Sequence, residues 1–209
     1  MRHLILSAIF VTGSSFSMAS QAISQYVELP QSGGLVQQGK IEVVELFSYG
    51  CRHCYDLEST LNPWIEKLPT DVNFVRVPAM FGGVWDVQGQ AFLTLQAMGA
   101  RQSVHAAVFE AIRNRIKLTT PDEIAEFLAG EGIHKDIFLS TYRSFAVQAK
   151  VMDAKKRIAA YQVSGVPALV IDGKYRFDLS AGGPQGMLKL AEHLIAQERA
   201  ARLAKLPST

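Results

Sequence analysis

Residues 41–68 read "IEVVELFSYGCRHCYDLESTLNPWIEKL". The opening "IEVVELFS" is β-branched and apolar over the length of a strand, with Glu45 interrupting the run. Beyond Tyr55, Leu57, Leu61, Trp64, Ile65 and Leu68 recur at helical spacing, and Pro63 should kink this helix or start a new segment. "VNFVRVPAM" (72–80) is a second strand. The order is therefore strand, cysteine pair, helix, strand. This is a βαβ unit with Cys51 and Cys54 at its first strand-to-helix junction.

On the amino-terminal side, residues 23–40 read as an extended lead-in with a Ser-Gly-Gly turn. On the other side, residues 84–162 carry helical periodicity and no strand signal. Thr120-Pro121-Asp122-Glu123 supplies a helix cap, a first-turn proline and first-turn acids; Gly130 and Gly132 stop that helix, and the next starts near His134 or Lys135. Strand signals return at 163–178, where "VPALVID" and "KYRFD" flank Asp172-Gly173, a two-residue hairpin turn. A long helix opening near Pro184 ends the chain. The fold class is α/β, βαβ then ββα, with an inserted all-helical domain at 84–162 between two parts of the main domain, 23–83 and 163–209. No linker composition separates the parts, so the helical block is expected to pack on the sheet. Phe81, Phe92, Phe127 and Phe138 read as core.

The 209 residues are 48% hydrophobic and 19% charged, with a formal charge of +2. That is globular composition, and the interspersed charges leave no electrostatic footprint for nucleic acid. Met1-Arg2-His3, the apolar "LILSAIFV" and the small residues of "TGSSFSMASQA" form a signal-peptide pattern over residues 1–22, with cleavage after Ala22 or Ala19. The apolar stretch is about half the length a membrane-spanning helix needs, and no other run approaches one. The mature chain is expected to be exported and not to span a membrane.

Cys51 and Cys54 are the only cysteines. A zinc site would need about four ligands, and His3, His53, His105, His134 and His193 offer no paired spacing. A passive disulfide across so short a loop would constrain the unfolded chain very little. Redox chemistry fits better. Cys51 sits where the free N–H groups and dipole of a helix start favour a thiolate, with Arg52 and His53 adding positive or donor character. Cys54, inside the first turn, is more buried and less polarised. Cys51 is then the nucleophile and Cys54 the resolving thiol, and stabilising the reduced form makes the disulfide a stronger oxidant.

The strand–CxxC–helix, the helical insertion, "FSYGCRHCY" and "GVPALVIDGKYRF" together resemble the DsbA family of bacterial periplasmic thiol:disulfide oxidases, over essentially the whole mature chain. The resemblance implies a thioredoxin-like fold and a Cys51–Cys54 disulfide passed to exported, unfolded proteins. Reoxidation would come from a DsbB-type quinone-linked membrane partner; no cofactor or metal is implied, and a monomer is expected. Val166-Pro167 matches the family's cis-proline position, which faces the disulfide and binds substrate backbone; from sequence alone most X-Pro bonds are trans. Glu45 matches a buried acid that assists proton transfer from the resolving thiol, whereas taken alone an acid in an apolar strand is more often edge-exposed. Glu58 and Arg76 match charged tuning positions, for which solvated charges are the default. The family's commonest central dipeptide is Pro-His, and here it is Arg52-His53. The added cation predicts retained or raised oxidising power, while the freed backbone N–H leaves that open.

Three other readings are weighed against a general oxidase. An oxidase dedicated to a narrow client set shares its chemistry. An isomerase or reductase is the second, and for the isomerase only about eighteen residues lie between Ala22 and the first strand, too few for the amino-terminal dimerisation domain that known periplasmic isomerases carry. A redox-inactive peptide-binding chaperone would survive loss of Cys51.

Overall fold

The structure, a computed structural model, describes residues 25–30 and 39–204; the signal-peptide expectation lies outside them. A five-stranded sheet has the order β1-β5-β4-β2-β3. Strand β2 (Ile41–Phe47) lies at its centre, parallel to β3 (Val72–Pro78) and antiparallel to β4 (Ala168–Ile171). All seven residues of β2 are buried, which explains a nearly continuous apolar run. The acid within it is not at an edge. Glu45 sits mid-sheet, in register with Arg76 on β3.

Helix α1 (Arg52–Ile65) follows β2 and returns the chain to β3. Its Leu57 and Leu61 are fully buried, each contributing about 2 kcal/mol of transfer free energy. The helix runs unbroken through Pro63, where the sequence suggested a kink or a restart. Pro63 falls in the last turn, so the missing N–H deprives only the Ser59 carbonyl of a partner, and the helix ends two residues later.

Five helices lie between β3 and β4: α2 (Val84–Ala97), α3 (Gln102–Arg113), α4 (Pro121–Gly130), α5 (Lys135–Tyr142) and α6 (Phe145–Ala160). The Thr120 side chain and Glu123 form the reciprocal cap foreseen for α4. One apolar cluster joins these helices to the sheet through Val44, Leu46, Phe47, Val77 and Val170. Gly89 permits the closest approach: a Cβ there would stand 2.5 Å from Met80 Sδ and 3.1 Å from Pro78 Cβ. Phe92 and Phe138 are core, Phe127 is half-buried, and Phe81 is not core. Phe81 is 42% exposed, its ring 5.2 Å from that of Trp85.

The hairpin β4–β5 (Tyr175–Asp178) is present, and Asp172 and Gly173 both take positive φ, 52° and 66°. The strands pair Ile171 with Tyr175, however, so Lys174 is an extra residue in the connection, its N–H closing onto the Ile171 carbonyl at 2.9 Å. Helix α7 (Gly183–Leu203) covers the opposite face of the sheet beside α1, over Val43, Leu169, Ile171 and Phe177. A two-residue strand inside the lead-in, β1 (Val27–Glu28), pairs with β5 at the sheet edge. No helix among the described residues is long and apolar enough to cross a membrane.

Candidate active site

Strand β2 ends at Phe47, and four residues later Cys51 caps α1 in an extended conformation, φ −87° and ψ 115°. Its sulfur accepts the Cys54 N–H at 3.3 Å, taking the place a serine or aspartate oxygen fills at other helix starts. Its own N–H donates to the Ser48 carbonyl at 3.1 Å. The thiol also faces the Val166 carbonyl at 3.4 Å, on the loop where the Val166–Pro167 bond is cis. Val166 is half-buried and Pro167 buried. Residues 115 positions apart thus meet at one sulfur.

The two sulfurs differ. Hydrogen bonding from Cys54, together with the backbone N–H of Cys54 and of His53, lowers the Cys51 thiol from 9.0 to about 6, against an opposing cost of partial burial. The His53 charge adds to this. Cys54 is fully buried, and desolvation pushes its thiol far up, with the Cys51 hydrogen bond and the charges of Cys51 and Glu45 acting in the same direction. Arg52 turns away: its side chain is 71% exposed and lies 3.5 Å from Asp56, one helical turn on.

Behind Cys54, three of the charged residues singled out in the sequence come together. Arg76 Nε donates to Glu45 Oε2 at 2.8 Å, and Arg76 Nη2 reaches Glu58 Oε1 at 3.2 Å and Asn62 Oδ1 at 2.7 Å. One guanidinium therefore serves two carboxylates. Burial raises the Glu45 carboxyl from 4.5 to about 7 despite Arg76, and the Glu58 charge pushes it the same way. Glu58 is held below its ordinary value although its own burial opposes this: the nearby His105, the Arg76 charge and the Asn62 bond prevail.

Comparison with known proteins shows the family. The DSBA-like thioredoxin domain family matches residues 87–194, just over half of the chain. The chain is 58% identical over 208 residues to the thiol:disulfide interchange protein DsbA of Pseudomonas aeruginosa, covering 96% of this chain and 99% of that protein. The corresponding protein of Azotobacter vinelandii is 55% identical over 214 residues, with 97% and 100% covered. The chain belongs to the DsbA family.

Crystal structures of DsbA proteins superpose accordingly. That of Pseudomonas aeruginosa DsbA gives a TM-score of 0.83 at 60% identity, covering 85% of this chain and 94% of that one. Xylella fastidiosa DsbA gives 0.78 at 35% identity, with 84% and 95% covered. The protein is thus a thiol:disulfide oxidoreductase with a thioredoxin-like fold.

Two side chains at this DsbA-family centre had no signal in the sequence. Tyr49 and His105, 56 residues apart, share a 2.8 Å hydrogen bond, and His105 Nε2 lies 3.8 Å from Glu58 Oε2. His105 is wedged among Phe47, Tyr49, Phe92 and Phe109. A lone histidine at a helical core position gives no hint of a carboxylate on another element. Among the described residues no group of three or more His, Cys, Asp or Glu side chains is arranged to hold a metal ion.

Proposed function

We propose that the protein passes a Cys51–Cys54 disulfide to exported, unfolded chains in the periplasm and is reoxidised by a DsbB-type quinone-linked membrane protein. The observation that carries this reading is the inequality of the two sulfurs, one polarised and half-exposed at the helix start, the other buried and hard to ionise. A substrate thiolate attacks Cys51 Sγ. The Cys51–Cys54 bond breaks, a mixed disulfide forms on Cys51, and Cys54 leaves with the electron pair. Because burial makes the Cys54 thiolate costly, it takes a proton at once, and Glu45, which titrates at about 7 and whose charge acts on Cys54, gives it. A second substrate thiolate then attacks the mixed disulfide, and Cys51 departs as a stabilised thiolate. The substrate loses two electrons and the protein gains them.

Val166 and Pro167 present the backbone against which the substrate chain lies as an added strand. His53 supports the Cys51 thiolate through its N–H and its charge. The chain divides into a thioredoxin-like domain, 23–83 and 163–209, and a helical insertion, 84–162, joined by the apolar cluster on one face of the sheet; residues 1–22 are the export signal and the working form is a monomer.

The experiment is trapping. With Cys54→Ala, mixed disulfides on Cys51 accumulate in the periplasm and their partners can be identified by non-reducing electrophoresis and mass spectrometry. Cys51→Ser abolishes both these adducts and oxidation of a reduced test peptide. Absence of adducts in the first variant, or full activity in the second, rules out the oxidase.

A further inference from the structure

The described residues hold two buried side-chain polar atoms with no hydrogen-bond partner, Glu45 Oε1 and His105 Nε2. Buried polar atoms are ordinarily satisfied, so both exceptions falling in one cluster marks that cluster as more than scaffolding. Between them stand Arg76 and Glu58. Glu45 on β2 meets Arg76 on β3, Arg76 meets Glu58 and Asn62 on α1, and Glu58 faces His105 on α3. Gln102 Oε1 approaches Arg76 Nη1 at 3.5 Å, and Tyr49 closes the far side of His105. The other titratable group near Glu45 is Cys54.

The tautomer of His105 follows from its surroundings. Burial lowers the ring's pKa and raises that of Tyr49, so both are neutral near pH 7. The Tyr49 hydroxyl then donates to Nδ1, and the ring proton sits on Nε2, facing the Glu58 carboxylate; the other tautomer would set a lone pair against that anion. Glu58 thus accepts from Arg76 and Asn62 and has the His105 Nε2–H facing it at 3.8 Å, too far for a formed bond but close enough to favour its charge, whereas Glu45 has Arg76 alone.

Two carboxylates around one guanidinium do not ionise equally, and the better-solvated one takes the charge. We propose that His105, contributed by the helical block, is a positioning residue that holds Glu58 as the anion on Arg76 and thereby leaves Glu45 as the carboxyl that carries the proton. Removing the Nε2–H loosens Glu58. Arg76 then serves Glu45 more fully, and the negative charge opposing Glu45 weakens, so both changes favour ionised Glu45. This inference rests on Glu45 being the proton partner of Cys54.

The test follows the protonated-carboxyl infrared band of Glu45 against pH in the full chain, assigned by its loss in Glu45→Gln. In His105→Phe the midpoint falls by about one pH unit, about tenfold in ionisation constant. In His105→Gln, whose amide can still donate to Glu58, it stays within a few tenths of a unit of the unaltered protein. Phe suits the aromatic surroundings but strands the Tyr49 hydroxyl. Should that variant fold poorly, Tyr49→Phe with His105→Phe removes the stranded group and gives the same shift. An unchanged midpoint in His105→Phe overturns the proposal, as does an equal shift in Phe and Gln variants, which would report packing alone. Cys51→Ser is assayed in parallel: exchange surviving there sinks the oxidase reading itself, whereas a dead Cys51→Ser with an unmoved Glu45 midpoint sinks only the role of His105.

Discussion

Glu42 and Glu45 stand three residues apart on one strand and are both buried, yet their surroundings differ. Glu42 meets Arg157 at 2.8 Å, and its carbonyl accepts the N–H of Asp172. Asp172 in turn has Lys174 at 3.2 Å and Arg202 at 2.6 Å, and Glu198 pairs with Lys174. At that end of the sheet Arg157 serves Glu42 together with the solvated Asp153, and Asp172 and Glu198 share Lys174, with Arg202 also on Asp172. At the cysteine end Glu45 and Glu58 divide one arginine, and an oxygen of Glu45 is left bare. The same residue type in the same strand thus meets two different settings. What separates the two is the second acid on the arginine, the exposed Asp153 on Arg157 and the largely buried Glu58 on Arg76.

Arginine removal probes that contrast hardest. Arg76→Met and Arg157→Met each strip the partner from a carboxylate that is almost wholly buried, and each should cost about 3–5 kcal/mol in urea unfolding. Only Arg76→Met should also move the chemistry. Without the guanidinium Glu45 titrates above about 7, so the pH dependence of disulfide exchange shifts to the alkaline side. An equal shift in Arg157→Met would erase the distinction between the two ends.

Glu45→Gln is the next largest effect. Burial raises the folded pKa of Glu45 from 4.5 to about 7, so between those values the folded chain holds a proton that the unfolded chain has released. Stability therefore falls as pH rises through that window, and the loss is complete above about 7, amounting to about 3 kcal/mol. Glu45→Gln removes this slope. The variant's urea midpoint should exceed that of the unaltered protein at pH 8 and match it more closely near pH 5, with slower exchange at both. A slope that persists in the variant assigns the titration to another group.

Much of this was legible in the sequence, and the reasons are local. The β2–cysteine–α1 unit announces itself because strand period, helix period and the cysteine pair are contiguous. The hairpin was marked by Asp172-Gly173, although composition could not tell a two-residue from a three-residue connection, which depends on the pairing of Ile171 with Tyr175. Strand β1 is two residues long and owes its existence to the β5 edge rather than to its own periodicity. Likewise the charge balance at Glu45 depends on β3, α1 and α3 at once. Neither Tyr49 nor His105 carries a spacing rule, since their bond spans 56 residues and is set by how the helical block docks.

Arg52 gives the smallest expected effect and the sharpest limit on reading charge from sequence. Placed beside Cys51 on paper, it predicts a cation supporting the thiolate. In the structure it is solvated and pairs with Asp56, an exposed contact worth under about 1 kcal/mol, while the N–H groups that act on the sulfur belong to His53 and Cys54. Cys51 is depressed from 9.0 to about 6, so the reduced protein gains stability as pH rises between those values, holds it fully above 9.0 and loses it as pH falls through about 6. The oxidised protein has no such titration. Arg52→Gln should therefore leave the midpoint of Cys51 alkylation by iodoacetamide within about 0.3 pH units of the unaltered protein, and the pH-dependent stability gap between reduced and oxidised forms likewise. Arg52→Pro should do the same, because the N–H it deletes is not one that binds the sulfur and proline suits the first helical position. A shift of a full unit in Arg52→Gln would restore the cation to the site. A shift in Arg52→Pro alone would instead trace the effect to the backbone of the helix start.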